Sequence, residues 1–178
     1  MNYASIRDND IANGEGVRVS LFVSGCDFRC PGCFNQEAQD FAYGQEFTPD
    51  VMNKLATMVA EPTISGLSIL GGDPLCQGID GLIYLVETCK YVHQLGKTVW
   101  LWTGFEWEQI FDPYLDSGHI HIWRQLLLSV CDVVIDGPFE QELADRKLVW
   151  RGSANQRVID AQASLKTGHV VTYQRGVE

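Results

Sequence analysis

The sequence predicts an α/β fold: a partial (βα) barrel of roughly five or six βα units. Two observations carry this. Strand-like apolar runs, loops and helix-patterned segments alternate at least three times along the chain, the mark of a parallel sheet with right-handed crossovers. The chain has 178 residues, too few for a closed eight-fold barrel, which takes about 250. The same length predicts one domain over residues 1–178, with room for a tail.

The elements follow in order. Val17, Val19, Leu21 and Val23 alternate at period two and predict a strand over 17–24. Thr48-Pro49-Asp50 reads as an N-cap followed by proline at the first helical position. Val51, Leu55, Met58 and Val59 line one face of the helix, and Glu61-Pro62 stops it. Ile64–Leu70 is a second strand, ending at Gly71-Gly72-Asp73-Pro74. Ile79, Leu82, Ile83 and Val86 recur at helical spacing, with an end near Gly96. Thr98–Trp102 is apolar on both faces, as a buried parallel strand requires. Ile122, Leu126 and Val130 mark a further helix, and Val133–Ile135 a short strand before Asp136-Gly137-Pro138. In such folds ligands sit at the carboxyl ends of the strands, where four of these loops fall.

Composition narrows the class. Apolar residues make up 46% and charged residues 20%, the balance of a chain with a core rather than a disordered one. A net charge of −10 argues against a nucleic-acid binder, which carries a basic domain. No run approaches the roughly 20 apolar residues of a membrane span, and Met1–Asp10 has no apolar signal-peptide region. The expectation is a cytoplasmic protein without nucleic-acid or membrane partners. Three of the six cysteines crowd into eight residues, which suits metal or redox chemistry better than a disulfide framework. Cys76, Cys89 and Cys131 stand singly and read as buried packing residues.

Cys26-Asp-Phe-Arg-Cys30-Pro-Gly-Cys33 carries the chemistry. Three thiolates on one loop can ligate three corners of a [4Fe-4S] cluster, and Pro31-Gly32 lets the chain turn between the last two. Such a cluster normally takes four cysteines. With three, one iron stays open, by the logic that leaves a catalytic zinc an open position. Spacing alone also admits a structural zinc completed by Cys76 or His93. Taken alone, Gly71-Gly72-Asp73-Pro74 is an ordinary strand-to-helix turn.

Together these loops resemble the radical S-adenosylmethionine (SAM) superfamily. The whole chain is similar to the activating enzymes of anaerobic (class III) ribonucleoside-triphosphate reductases. Trp102-Thr103-Gly104-Phe105, Asp136-Gly137-Pro138-Phe139 and Trp150–Arg157 carry that narrower likeness, which covers about residues 1–165 and leaves 165–178 as a candidate tail. The resemblance implies that Cys26, Cys30 and Cys33 hold the cluster while SAM chelates the open iron. One electron then cleaves SAM, and a hydrogen is taken from a glycine of the reductase to leave a glycyl radical. It implies no catalytic residue beyond cluster and SAM, and a one-electron donor such as a flavodoxin. Gly71, Gly72 and Asp73 would meet the SAM ammonium, and Gly32, Cys33 and Phe34 the adenine. Thr103 and Asp136 would lie near the carboxylate. Gly32 departs from the superfamily, which usually has an aromatic residue there, so Phe34 reads either as its substitute or as plain core. Thr103 also reads as a helix cap and Asp136 as a turn residue. His119 and His121 read as a solvated pair at a helix start.

Arg146, Lys147, Arg151 and Arg157 put four of the 13 positive charges into twelve residues. Such a run is usually a solvated face; here it also suits partner docking or substrate contact. Two alternatives stay open: an activase of another glycyl-radical enzyme of the pyruvate formate-lyase type, and a non-catalytic zinc or iron–sulfur module.

Overall fold

The computed structural model describes residues 1–111 and 118–175. Its centre is four parallel strands: β2 (Arg18–Val23), β4 (Gly66–Gly71), β5 (Thr98–Trp102) and β6 (Val133–Asp136). Three more strands join antiparallel. β1 (Asn2–Asp10) lies on β2, β3 (Gln45–Glu46) on β1, and β7 (Arg157–Asp160) on β6. The sheet is open, in the order β3-β1-β2-β4-β5-β6-β7.

The expected count of five or six βα units is thus corrected to four parallel strands among the described residues. The reason lies in the connection after β6. A parallel return needs a crossover, usually a helix, whereas residues 137–156 supply turns, a short 3₁₀ segment at Gln141–Leu143 and an isolated antiparallel bridge between Ala144 and Ser153. The chain therefore comes back antiparallel as β7. β1 escapes pattern reading because Asn2–Asp10 is polar and largely half-buried or exposed, with no apolar alternation to betray it.

The three predicted helices form, and among the described residues two more that the sequence pattern did not indicate join them. In α1 (Pro49–Ala60) the Thr48 hydroxyl accepts from the Val51 amide and proline occupies the first turn. α2 (Ile79–Gln94) precedes Gly96, whose φ of +70° ends it. α3 (Trp107–Phe111), α4 (His119–Ser129) and α5 (Ala161–Thr167) follow, the last closed by Gly168 in the left-handed region.

The two sheet faces differ. Val19, Leu21, Val23, Leu67, Ile69, Val99, Leu101 and Val134 pack with Leu55, Leu82, Leu85, Val86 and Leu127 of the helices into one aliphatic core. The alternate positions bring Arg18, Ser20, Ser68 and Trp100 to the other face, all buried. Arg18 donates to Ser68 Oγ, Thr98 Oγ1 and the carbonyls of Glu15, Leu67 and Thr98, at 2.7–3.2 Å. Its five N–H groups are all spent on neutral oxygens, and the Trp100 ring lies 5.4 Å from the guanidinium. The segment beyond residue 164 folds back here: Tyr173 donates to Glu15 at 2.6 Å, with its ring 5.3 Å from Trp100. No helix among the described residues is long and apolar enough to cross a membrane.

Candidate metal centre

The carboxyl ends of the four parallel strands enclose a cavity of about 180 Å³. Cys26, Cys30 and Cys33 line it with Phe28 and Phe34 of their own loop. Gly71-Gly72-Asp73 follow β4, Trp102-Thr103-Gly104 come from β5 and its loop, and Gly137 and Phe139 follow β6. Gly152 and Gln156 complete the wall. Five sequence motifs thus meet in one place. A larger cavity sits around Glu15, Trp100 and Asp160, but no cysteine lines it.

The cysteine loop is held by backbone. Gly25 (φ +103°) turns the chain out of β2, and the amides of Gly25 and Cys26 donate to the carbonyls of Ala38 and Gln39 at 2.8 and 3.1 Å. Pro31-Gly32 forms a tight turn, with Gly32 at φ +71° and the Cys33 amide donating to the Cys30 carbonyl at 3.2 Å. Proline then glycine is the pairing a type II turn prefers. The turn places Cys30 and Cys33 together, as the spacing anticipates. Cys33 Sγ accepts from the Asn35 amide at 3.4 Å.

The glycine pair is needed first for packing. The Gly72 amide donates to the Val23 carbonyl at 2.7 Å and the Asp73 amide to the Gly25 carbonyl at 2.8 Å, stitching this loop to the root of the cysteine loop. A Cβ on Gly72 would stand 2.5 Å from the Gly25 oxygen and 2.7 Å from the Ala38 oxygen. Gln77 adds a clamp that sequence reading missed: its side-chain amide donates to the carbonyls of Ser24 and Asp73, each at 3.0 Å. A single buried glutamine after a 3₁₀ turn has no pattern that would have flagged it.

Asp73 is 1% exposed. Its carboxylate accepts from the Leu75 amide at 2.8 Å, the Gly104 amide at 2.7 Å and the Thr103 hydroxyl at 3.0 Å. Thr103 in turn accepts from the Phe105 amide. The two residues tie the β4 loop to the β5 loop, and Thr103 stabilises a turn rather than a helix start. Burial raises the Asp73 carboxyl to about 6.

Asp136 is placed apart from these. Its carboxylate accepts from the Trp107 amide at 2.8 Å, capping α3, and pairs with Arg157. Gly137, not Asp136, lines the cavity. Arg157 also forks onto Glu108, with contacts of 2.9 and 2.6 Å, and Arg151 donates to the Gln156 carbonyl at 2.6 Å. The charges of the Arg151–Arg157 segment, which the sequence offers for docking, are used in part to close the molecule on itself.

Phe34 is 78% exposed, with its ring 5.4 Å from that of Phe139. The core reading of Phe34 is corrected: it stands at the cavity rim because Cys33 ends a surface turn. His121 is corrected in the opposite sense, since it is buried and bonded to Gln125, while His119 is exposed.

The donor set suits an iron–sulfur cluster. Three free thiols, each part-exposed, face one cavity. Hydrogen bonds to sulfur are among the features that tune such clusters. Cys26 is held below its ordinary value, first by a hydrogen bond from the Cys76 thiol and, against the cost of burial, by the amides of Phe28 and Arg29. Cys30 is pushed up by burial, opposed by the Phe139 amide. Cys76 is raised by that same bond to Cys26 and by burial. It is buried, as are Cys89 and Cys131, but it is not only a packing residue.

Comparison with known proteins agrees with this site. Residues 12–159 match the model of a family described as a 4Fe-4S single cluster domain. The anaerobic ribonucleoside-triphosphate reductase-activating protein of Vibrio cholerae serotype O1 is 38% identical over 159 residues, 88% of this chain and 96% of that one. The protein of that name from Enterobacteria phage T4 is 40% identical over 160 residues, 89% of this chain and 93% of the other. Its namesake in Escherichia coli (strain K12) is 35% identical over 161 residues, covering 89% and 97%. Likeness of this depth over nearly the full length of each relative leaves one conclusion: the chain belongs to the 4Fe-4S single cluster domain family, among the anaerobic ribonucleoside-triphosphate reductase-activating proteins.

Proposed function

We propose that this chain is a radical SAM activase that installs a glycyl radical in an anaerobic ribonucleoside-triphosphate reductase. The observation that carries the reading is the convergence of the three-cysteine loop and the Gly71-Gly72-Asp73 loop on one cavity. Cys26, Cys30 and Cys33 would hold a [4Fe-4S] cluster with one iron free of protein ligands. Such a cluster, when bound, supplies a single electron for reductive cleavage of SAM, and the outcome is hydrogen abstraction from a glycine of the reductase.

The chain's own residues bind, orient and exclude water. The backbone of Gly71 and Gly72 would accept from the SAM ammonium, and the backbone of Gly32–Phe34 would meet the adenine. Asp73 and Thr103 hold the β4 and β5 loops at a fixed separation, so they act by positioning. Asp136 does the same one strand further on, through Trp107 and Arg157. Phe28, Phe34, Trp102 and Phe139 give the cavity apolar walls, which protect a reactive carbon radical from solvent. An open sheet acting as a partial barrel leaves a side through which a loop of another protein can enter. With this reading come a one-electron donor such as a flavodoxin, a cytoplasmic setting, and residues 1–178 acting as one unit.

The test is anaerobic reconstitution with iron and sulfide, then reduction in the presence of SAM. Methionine and 5′-deoxyadenosine should form, and adding the reductase should yield a glycyl-radical EPR signal. A colourless protein holding one zinc would refute the reading. A radical formed only on a pyruvate formate-lyase type enzyme would move it to the neighbouring activase class.

A further inference from the structure

We infer that Cys26, Asp73 and Cys76 form a second metal site, which takes one thiophilic divalent cation such as Zn²⁺ when the cluster is absent. Cys26 Sγ, Cys76 Sγ and an Asp73 carboxylate oxygen all lie within 4.8 Å of one another. Tetrahedral zinc with Zn–S bonds of about 2.3 Å holds two sulfurs about 3.8 Å apart, so small side-chain movements close the set around one ion.

The acceptor count supports this. A carboxylate offers about four lone-pair sites. Asp73 receives three protons, from Leu75, Gly104 and Thr103, the hydroxyl proton being shared between the two oxygens. One acceptor site of a buried carboxylate is left for a cation. Two thiolates, a carboxylate and a divalent ion sum to one negative charge. Arg124 answers it: the guanidinium acts on Asp73, donates to the Leu75 carbonyl at 2.8 Å and stacks 4.8 Å from the Phe105 ring. Binding releases the two thiol protons to solvent, and a water fills the fourth position.

Cys26 cannot serve both sites at once, so the mononuclear ion and the cluster exclude each other. The inference goes beyond the proposed activity, because it concerns the protein before its cluster is loaded. Its consequence is that zinc holds the loop closed and blocks assembly until it is removed.

The experiment uses the full chain purified without iron and titrated anaerobically with Co²⁺ and Zn²⁺. One equivalent of Co²⁺ should give thiolate-to-metal absorption. Cys76→Ser should weaken binding by more than about 100-fold, beyond the loss of an outer-shell partner. The double variant Cys30→Ser/Cys33→Ser should bind as the parent does. Zinc-edge X-ray absorption on the unsubstituted chain should find two sulfurs with oxygen completing the shell, which keeps the test independent of any variant's folding. One equivalent of Zn²⁺ should also block cluster uptake by the parent but not by Cys76→Ser. Three or four sulfurs on zinc, no uptake of Co²⁺, or loss of Co²⁺ in the double variant would each overturn the inference. Cluster loading of Cys76→Ser without zinc reports separately on the proposed function, since it needs only Cys26, Cys30 and Cys33.

Discussion

Replacing Arg157 with alanine tests whether the basic segment is internal scaffolding or a free docking surface. The Asp136 side chain is 1% exposed and the Arg157 side chain 39%. Deleting the guanidinium leaves a buried carboxylate whose one remaining partner among the described residues is the Trp107 amide, at 2.8 Å. Breaking a fully buried charge pair costs about 3–5 kcal/mol. Solvent screening at the half-exposed arginine reduces this, so about 2–3 kcal/mol is expected. At about 2–4 °C per kcal/mol for a chain of this size, the melting temperature should fall by roughly 5–10 °C. Denaturant unfolding of Arg157→Ala, Asp136→Asn and the double variant gives the coupling. The double variant should cost at least about 1 kcal/mol less than the two single changes added. Acid supplies a second readout. Arg157 holds Glu108 below its ordinary 4.5, chiefly by hydrogen bonding. A depressed carboxylate contributes stability above its unfolded value and loses it as pH falls through the folded one. The gap between parent and Arg157→Ala should therefore narrow below about pH 4.5. A loss under 1 kcal/mol with additive single changes would refute the clamp. The charge would then be free for a partner.

Three further outcomes are expected. Cys26→Ala, Cys30→Ala and Cys33→Ala should each lose the iron–sulfur chromophore on reconstitution, while Cys89→Ala and Cys131→Ala keep it and cost about 1–3 kcal/mol of stability; elemental iron per chain decides. Gly72→Ala should destabilise by about 1–3 kcal/mol and lower cluster yield, because its Cβ pushes on the Gly25 and Ala38 carbonyls; an unchanged melting temperature would contradict the close packing. Phe34→Ala should leave stability within about 0.5 kcal/mol and iron content intact, yet raise the KM for SAM. An unchanged KM would remove Phe34 from the proposed binding surface.

The central elements were legible because local chemistry specifies them. Thr48-Pro49 caps α1 through its own hydroxyl and ring, and Thr98–Trp102 is apolar on both faces because both are buried. The Pro31-Gly32 turn brings Cys30 and Cys33 together with no help from the rest of the chain. β1 and β7 were not legible. A polar strand such as Asn2–Asp10 is held by its neighbour's hydrogen bonds rather than by an apolar stripe.

The same division runs through the candidate site. The sequence by itself determined the cysteine loop, the glycine turn and the strand ends that carry them, since spacing and backbone preference act within a few residues. Only the tertiary structure decided what each charged or sulfur-bearing side chain faces. It set Cys76 beside Cys26 across fifty residues, clamped Asp136 with Arg157, and put Phe34 in solvent. Such partners are chosen by burial and by where strands stack, and neither is written in the identity of a residue's neighbours along the chain.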